Sequence, residues 1–304
     1  MRWVLREGDG ATLGDVLARA SADPLALEDG RVFVGRKRAR SRGEALRPGD
    51  VVEIAPPVLS AAAPIVLART NDLVAVEKAA GVPTIGDHTG ASHALVATVA
   101  RVLGIDEARI HPTSRLDREV SGVVVLALSG DAIRRLARAR AAGTYERRYV
   151  AIAAHAPVPP SGVWSQPIGR ARDPRLRAVG GRDAVESQTR YATPGVAPAG
   201  QAMLSVAPVT GRTHQIRVHA AHAGAPLLGD RSYGGPARVT LPSGRVLDLG
   251  RIALHAARVV VPDSRGAPWS VQSAIPADLR DLWAALGGGG AAWDLCASCP
   301  TGKD

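Results

Sequence analysis

The stretch HPTSRLDREVSGVVVLALS, residues 111–129, joins a charged turn to an apolar run. The run after Gly122 is continuous and of strand length, which predicts a strand buried on both faces. Asp117 lies just before it, between Arg115 and Arg118. Two neighbouring guanidinium groups favour an ionised carboxylate, and loops held by rigid strands often carry catalytic groups. The pattern predicts a nucleophile or base at Asp117, with an exposed ion pair as the alternative.

The composition limits the kinds of partner. The chain has 304 residues, enough for one large domain or a large and a small one. Its net charge of +10 at pH 7 favours a polyanion such as nucleic acid. The basic residues are almost all arginine in a chain rich in Ala and Gly. A GC-rich genome gives the same composition, so the charge alone does not identify the partner.

Targeting signals and cysteines point to a cytoplasmic protein. The first twenty residues carry charges throughout and lack the apolar core of a signal peptide. The apolar stretches are too short to cross a bilayer. Two cysteines, Cys296 and Cys299, leave the body of the chain without a disulfide framework. Their CxxC spacing supplies only two ligands, too few for a structural zinc site, and we interpret it as incidental.

The order of predicted elements indicates an α+β fold with a largely antiparallel mixed sheet, because strands come in runs with unevenly spaced helices. We predict a small basic α/β module at residues 1–58, with a helix at 12–20 followed by two strands, a linker at 59–63, a catalytic domain at 64–286 and a flexible tail at 287–304. Helical spacing predicts a helix in GDAIRRLARARAAG, residues 130–143, which Asp131 can cap, and another in PADLRDLWAALGGGG, residues 276–290. No glycine-rich phosphate loop follows a predicted strand, so nothing suggests a nucleotide cofactor.

A second polar stretch is VTGRTHQIRVHAAHAGAPLLGDRSYGG, residues 209–235. Residues 212–219 alternate as a strand does. This places four polar side chains on one face: Thr213, Gln215, Arg217 and His219. That face is either solvated or the floor of a polar cleft. A metal site at His214, His219 and His222 is disfavoured, because their strand faces differ and no carboxylate is spaced with them.

Tyr149 opens the predicted strand of ERRYVAIAA, residues 146–154. It follows directly after two arginines. The residue is either part of the core or a stacking face for a base, since proteins stack aromatic rings on nucleotides that have left the helix.

Four stretches together resemble the RluA-type family of RNA pseudouridine synthases. SRLDREVSGVVVLA (114–127) resembles the family's H-R-L-D segment with its Ser/Thr-Gly pair and apolar strand, and residues 211–235 match a second family motif. LVAVEKAAGVPT (73–84) resembles the N-K-P-x-G strand and turn, and ERRYVAIAA resembles K-x-Y-x-A. The resemblance covers about residues 64–262.

The resemblance implies the chemistry. Uridine in rRNA or tRNA would be isomerised to pseudouridine without a cofactor or metal. Asp117 would be the catalytic carboxylate and Arg217 its partner. Tyr149 would pack on the target base, and Arg115 would help hold the place of the extruded nucleotide or its phosphate. We expect a monomer whose partner is RNA, and the N-terminal module resembles the small S4 RNA-binding domain.

Departures from the family pattern keep alternatives open. Ser114 stands where the family has His, Val120 replaces Thr, and Glu-Lys-Ala replaces Asn-Lys-Pro. The changes at Ser114 and Val120 favour a catalytically inactive RNA-binding protein of the same fold. A third reading is a metal-dependent hydrolase built on the three histidines.

Overall fold

The computed structural model describes residues 2–9, 11–20, 26–27, 31–35, 37–54, 63–86 and 93–298. Two compact units share the chain: Met1–Pro64 with Val82–Ala108, and Ile65–Gly81 with Arg109–Asp304. Across the described ranges, each helix is too short or too polar to cross a membrane.

The first unit contains a small antiparallel sheet in the order β1-β4-β2-β3. Its elements are β1 (Arg2–Val4), α1 (Leu13–Arg19), β2 (Val32–Val34), β3 (Lys37–Arg38), β4 (Val51–Ile54) and α2 (Leu95–Leu103). α1 begins with a capping box, in which the Thr12 side chain accepts from Asp15 N–H and the Asp15 carboxylate accepts from Thr12 N–H. The predicted helix and strands of the basic module are therefore present.

The first unit extends beyond the predicted boundary. Residues 82–108, which contain α2, group with the N-terminal module rather than with the second unit. α2 ends at Gly104, whose left-handed backbone is a common helix stop. The predicted linker at 59–63 falls mostly outside the described residues, and the S4-like character of the module stays a prediction.

The second unit is built on a ten-stranded mixed sheet, in the order β10-β14-β15-β9-β18-β8-β6-β5, with β19 on β18 and β7 on β8. The strands of the unit are β5 (Ile65–Arg69), β6 (Leu73–Lys78), β7 (His111–Pro112), β8 (Ser121–Ala127), β9 (Glu146–Ala153), β10 (Ser161–Trp164), β11 (Ile168–Arg170), β12 (Arg177–Val179), β13 (Arg182–Val185), β14 (Thr189–Val196), β15 (Ala202–Pro208), β16 (Arg238–Thr240), β17 (Val246–Asp248), β18 (Leu254–Pro262) and β19 (Pro268–Gln272). β11 to β13 form a separate three-stranded sheet, and β16 pairs with β17.

β8 confirms the predicted buried strand, since all of its residues are buried. It pairs antiparallel with β6 and, through Ser121 and Gly122, parallel with β18. Gly122 has φ +122°, and a Cβ there would collide with the backbone of Ala256. The glycine therefore lets β18 approach β8 directly after the Asp117 loop.

Four helices complete the second unit: α3 (Gly130–Ala141), α4 (Gln215–His222), α5 (Ala277–Ala285) and α6 (Ala291–Ser298). There is a short 3-10 helix at Arg231–Tyr233, and another at Glu107–Arg109 spans the boundary between the units. α3 and α5 lie where the sequence predicts them. α3 is capped by Ser129, which accepts from Ala132 N–H, and not by Asp131 as the sequence suggested.

The predicted strand at residues 212–219 is wrong. Residues 215–222 form α4 instead, and six of its eight residues are buried. The polar side chains of Arg217 and His219 are among the buried ones, held by hydrogen bonds. A helix buried on most sides has no simple polar face, so its short polar–apolar alternation imitated a strand.

The predicted flexible tail needs a correction in its described part, residues 287–298. α6 lies there, and its Ala292 and Cys296 are buried in one core with Trp283 and Leu286 of the preceding helix segment. Burial of this apolar face holds the segment in place. Cys299 and the residues after it lie outside the described residues.

Candidate active site

The loop between β7 and β8 holds Asp117 at the end of the central strand. The backbone of Arg118 anchors it, because the Arg118 carbonyl accepts hydrogen bonds from Gly81 N–H (2.8 Å) and Lys78 Nζ (3.1 Å). Arg118 Nε in turn donates to the Gly81 carbonyl at 3.0 Å. The Asp117 side chain stays 24% exposed, so the loop presents a carboxylate on a rigid base.

The arginines beside Asp117 are not its partners. Arg118 turns to Gly81, and Arg115 is exposed. Asp117 Oδ2 instead accepts a hydrogen bond from Arg217 Nη1 at 2.7 Å, from 100 residues along the chain. The alternative of an exposed ion pair within the Arg-Asp-Arg triplet is therefore wrong. Asp117 pairs instead with an arginine that is distant in the sequence.

Arg217 of α4 is shared between two carboxylates. Its Nε and Nη2 donate to the two oxygens of Asp230 at 2.7 and 2.8 Å, which leaves Nη1 for Asp117. Asp230 is 1% exposed and Arg217 6%. Burial alone would lower the pKa of Arg217, but the hydrogen bonds with Asp230 and the charges of both carboxylates outweigh it and raise that pKa. Arg217 is therefore a permanent cation, and its two hydrogen bonds with Asp230 fix its orientation toward Asp117.

Tyr149 lies in β9 and is buried, with 7% of its surface exposed. Burial raises the pKa of its hydroxyl, and the negative charge of Asp117 raises it further. The phenol is therefore neutral at physiological pH. Tyr149 belongs to the surroundings of Asp117, and its packing on a target base stays a prediction.

His214 and Tyr233 form a third pair beside Asp117. His214 Nε2 lies 3.8 Å from Asp117 Oδ2, and its Nδ1 lies 2.7 Å from Tyr233 Oη. Burial lowers the pKa of His214, although the charge of Asp117 opposes this. Tyr233 also covers Arg217, whose guanidinium carbon lies 4.8 Å from the ring centroid.

Lys78 is buried beneath the same loop. Its Nζ donates to the carbonyls of Ala79 (3.0 Å) and Arg118 (3.1 Å). Burial is the main reason why the pKa of Lys78 falls to about 7, and the charge of Arg251 lowers it as well, against Asp117 and Glu119. The loop of Asp117 thus rests on a lysine that is close to losing its charge.

A buried polar network supports the start of β8. Arg251 Nη2 donates to Ser121 Oγ at 2.6 Å, and Ser121 Oγ lies 2.8 Å from His255 Nδ1. Burial lowers the pKa of His255 to about 4, helped by the charge of Arg251. His255 is then neutral, and one hydrogen is shared between Ser121 Oγ and its Nδ1. The two residues of the Ser-Gly pair therefore have different structural roles. Ser121 joins this polar network, and Gly122 allows the close approach of β18.

An arginine-lined cavity of about 490 Å³ opens at the three-stranded sheet. It is lined by Arg170, Ala171, Arg172, Pro174, Arg177 and Arg182. Arg177 connects the cavity to the site around Asp117, because its backbone N–H donates to Tyr233 Oη at 2.9 Å. A cavity with four guanidinium groups suits phosphate oxygens.

The three histidines of the metal reading have separate roles. His219 is fully buried and bonds to Thr189 Oγ1 and the Gln166 carbonyl, both at 2.9 Å. His222 is exposed. Among the described residues no group of three His, Cys, Asp or Glu side chains is arranged to hold a metal ion.

Sequence reasoning did not identify Asp230, Tyr233 and Lys78 as parts of the site. Asp230 and Tyr233 lie within the quoted stretch LLGDRSYGG, so a signal was present in the motif itself. Asp230 also depends on Gly229, at φ +80°, where a Cβ would collide with the Arg251 backbone. Only the tertiary structure brings Asp230 behind Arg217.

Comparison with known proteins identifies the family. Residues 72–222 match the model of the family described as RNA pseudouridylate synthase. An uncharacterised RNA pseudouridine synthase of Chlorobaculum parvum is 31% identical over 84% of this chain and 86% of its own length. Another from Chloroflexus aurantiacus is 36% identical over 55% of this chain, and the match spans half of that relative's length.

Solved structures agree on the fold. The human protein RNA Pseudouridylate Synthase Domain Containing 1 superposes with a TM-score of 0.58 at 21% identity, over 78% of this chain and 98% of that one. At this identity the match supports the fold alone. With the matched family model and the relative that aligns over most of both chains, the chain belongs to the RNA pseudouridine synthase family, which assigns it an isomerase activity on RNA.

Proposed function

We propose that this protein isomerises uridine in a structured rRNA or tRNA, with Asp117 as the catalytic carboxylate. The N1–C1′ bond of the target nucleotide breaks, the uracil turns, and C5 bonds to C1′. The proton leaves C5 and N1 gains one, so atoms and electrons balance without an external reductant or oxidant. Asp117 either attacks C1′ or takes a proton from the sugar, and both routes need an ionised carboxylate.

One observation carries this proposal. A partly exposed carboxylate rests on a buried guanidinium that Asp230 fixes from behind, with Arg217 Nη1 at 2.7 Å from Asp117 Oδ2. A charge-assisted hydrogen bond of this kind is short and strong, and it fixes the carboxylate in place. Solvent exposure of Asp117 leaves it accessible to a nucleotide, whereas Asp230 has none of this access.

The test is Asp117→Asn. Asparagine keeps the size and one acceptor oxygen but can neither attack nor take a proton. We expect a folded protein that binds RNA and forms no pseudouridine, measured by tritium release from RNA labelled at uridine C5. Asp131→Asn is the control, because Asp131 is exposed and pairs with Arg134 of its own helix. Substantial turnover by Asp117→Asn would remove Asp117 from the catalytic role.

The RNA class rests on charge rather than on base-specific groups. The net charge of +10 and the arginine-lined cavity beside Tyr233 support a substrate that offers several phosphates in a fixed shape. Mapping pseudouridines in total RNA with and without the gene identifies the molecule and position. Loss of sites only outside rRNA and tRNA would contradict the proposal.

We propose that the protein acts as a monomer. Asp117, Tyr149, Arg217 and Asp230 all lie in the second unit of one chain. A site that is complete within one chain has no need of a second copy. Sedimentation velocity during turnover conditions tests this, and activity found only in a dimer fraction would contradict it.

A further inference from the structure

His214 has an unusual backbone. Its φ of +58° lies in the left-handed region, and among the described residues only Asp183 shares this property outside glycine. Left-handed backbone is unfavourable for most side chains and persists where the surroundings impose it, often at functional sites. The conformation puts the imidazole at the start of α4, between Tyr233 and Asp117.

The hydrogen bonds of Tyr233 decide which nitrogen of His214 carries the proton. Tyr233 Oη accepts from the Arg177 backbone N–H at 2.9 Å, and His214 Nδ1 lies 2.7 Å from the same oxygen. With one lone pair of Oη engaged by that N–H, the hydroxyl is favoured as the donor to Nδ1. A neutral imidazole that accepts at Nδ1 carries its hydrogen at Nε2.

The Nε2–H group points to an oxygen that is already occupied. His214 Nε2 lies 3.8 Å from Asp117 Oδ2, the oxygen that Arg217 Nη1 holds at 2.7 Å. Two donors therefore converge on Oδ2, and neither is placed on Oδ1. The 3.8 Å gap exceeds a hydrogen bond, but such contacts often tighten when substrate binds.

We propose that His214 is a positioning residue that, as the neutral Nε2–H tautomer set by Tyr233, holds Asp117 Oδ2 together with Arg217 and so directs Oδ1 to the nucleotide. This rests on the proposed catalytic role of Asp117. The charged groups that face His214 are Asp117 and Asp230, which favour its protonation, and Arg217 and Arg177, which oppose it. Burial is the largest influence and lowers the pKa of His214, so the imidazole stays neutral.

Two variants separate positioning from a structural role. His214→Asn suits the left-handed backbone and the N-cap position of α4, so we expect the fold to be retained. Tyr233→Phe keeps the ring over Arg217 and removes only the hydroxyl. We expect each to lower the single-turnover rate at saturating RNA by about 10- to 100-fold, with RNA affinity unchanged.

The double variant and a matched control sharpen the test. Because Tyr233 acts through His214, His214→Asn with Tyr233→Phe should be about as slow as His214→Asn alone. His222→Asn changes an exposed histidine of the same helix and should keep the wild-type rate. A wild-type rate for His214→Asn, or fully additive losses in the double variant, would overturn the proposal.

The tautomer can be measured without catalysis. Imidazole ¹⁵N shifts of histidine-labelled protein should show hydrogen at Nε2 of His214 at neutral pH. In Tyr233→Phe the pKa of His214 should rise, because the bond to the neutral form is lost. Hydrogen at Nδ1 in the wild type would overturn the assignment. Turnover by Asp117→Asn would instead contradict the proposed function and leave the tautomer result standing.

Discussion

At the scale of single residues, Arg217 connects the two carboxylates of the site. Its planar fork matches Asp230 with two nitrogens and keeps the third for Asp117. Lysine has one nitrogen on a flexible stem and cannot make both contacts in this geometry. The identity of this residue therefore determines both the support of buried Asp230 and the position of Asp117.

We predict that Arg217→Lys lowers the single-turnover rate at saturating RNA by about 100-fold, because Asp117 loses its fixed partner. RNA affinity should change little. The variant should also be less stable, because a single ammonium cannot reproduce the two-pronged contact with buried Asp230. Rapid-quench kinetics and thermal unfolding measure the two effects.

The control for Arg217→Lys is Arg212→Lys, at an exposed arginine of the preceding loop. It should keep the rate at saturation. If Arg217→Lys keeps its rate and loses only affinity, Arg217 is a phosphate contact, and its assigned support of Asp117 is wrong.

Lys78 gives a prediction on pH. Its pKa is lowered from 10.5 to about 7, mainly by burial. Between these values the unfolded chain binds more protons than the folded one, so the Lys78 contribution to stability rises with pH and is least favourable below about 7. Relative to Lys78→Met, the wild type should gain up to about 1.4 kcal/mol per pH unit across this window.

Urea unfolding of both proteins from pH 6 to 10 measures the difference. Lys37→Met is the control for loss of an exposed lysine. The hydrogen bonds of Lys78 to Ala79 and Arg118 add a constant amount to the stability difference at every pH. The informative quantity is therefore the slope of that difference against pH. A slope of zero would mean that burial does not lower the pKa of Lys78.

At the scale of elements, the contact between β8 and β18 decides where the site lies. The two strands meet in parallel only at Ser121 and Gly122, four and five residues after Asp117. β18 then pairs with β9, which carries Tyr149. The close approach at Gly122 therefore places β8, which follows the Asp117 loop, and β9, which carries Tyr149, on either side of β18.

We predict that Gly122→Ala destabilises the protein by about 3 kcal/mol or more, because the added Cβ meets Ala256 backbone and φ is +122°. Gly130→Ala is the matched control. Gly130 is the first residue of α3, where a Cβ would only touch the end of the Arg134 side chain. That variant should be neutral or slightly stabilising, since alanine favours a helix. Equal effects in denaturant unfolding would contradict the close approach.

At the scale of the whole molecule, positive charge is the feature that matters for RNA. The net charge of +10 gives an attraction that depends on salt and not on sequence. The arginine-lined cavity concentrates part of this charge beside Tyr233. RNA binding by the S4-like module stays a prediction, since the basic turn around Lys37 and Arg40 is its main support.

We predict that Arg172→Ala weakens RNA binding and lowers the slope of log K against log salt by about 0.7–0.9, as expected for one lost phosphate contact. The rate at saturating RNA should persist. Arg175→Ala is the control, because Asp173 already holds that arginine at 2.6 Å. Filter binding over a salt series measures both. Equal slopes for Arg172→Ala and wild type would exclude a phosphate at this cavity.

The sequence alone was sufficient for the fold class, the buried strand β8, the helices α3 and α5, and the candidate residues Asp117 and Arg217. These features are encoded locally, in runs of apolar residues, in helix spacing and in continuous motifs that resemble one family. The pairing of Arg217 with Asp117 also followed from that resemblance, although the strand invoked for it is a helix.

Only the tertiary structure decided the partners. Three contacts show this: Asp230 with Arg217, His214 with Tyr233, and Lys78 with the Asp117 loop. The partners are separated in the sequence by distances that follow neither helical nor strand periodicity. α4 was misread for the same reason, because its polar side chains are buried on partners from distant elements. The alternation of polar and apolar residues predicts secondary structure only when polar side chains face water. It fails where polar side chains are hydrogen-bonded inside the protein.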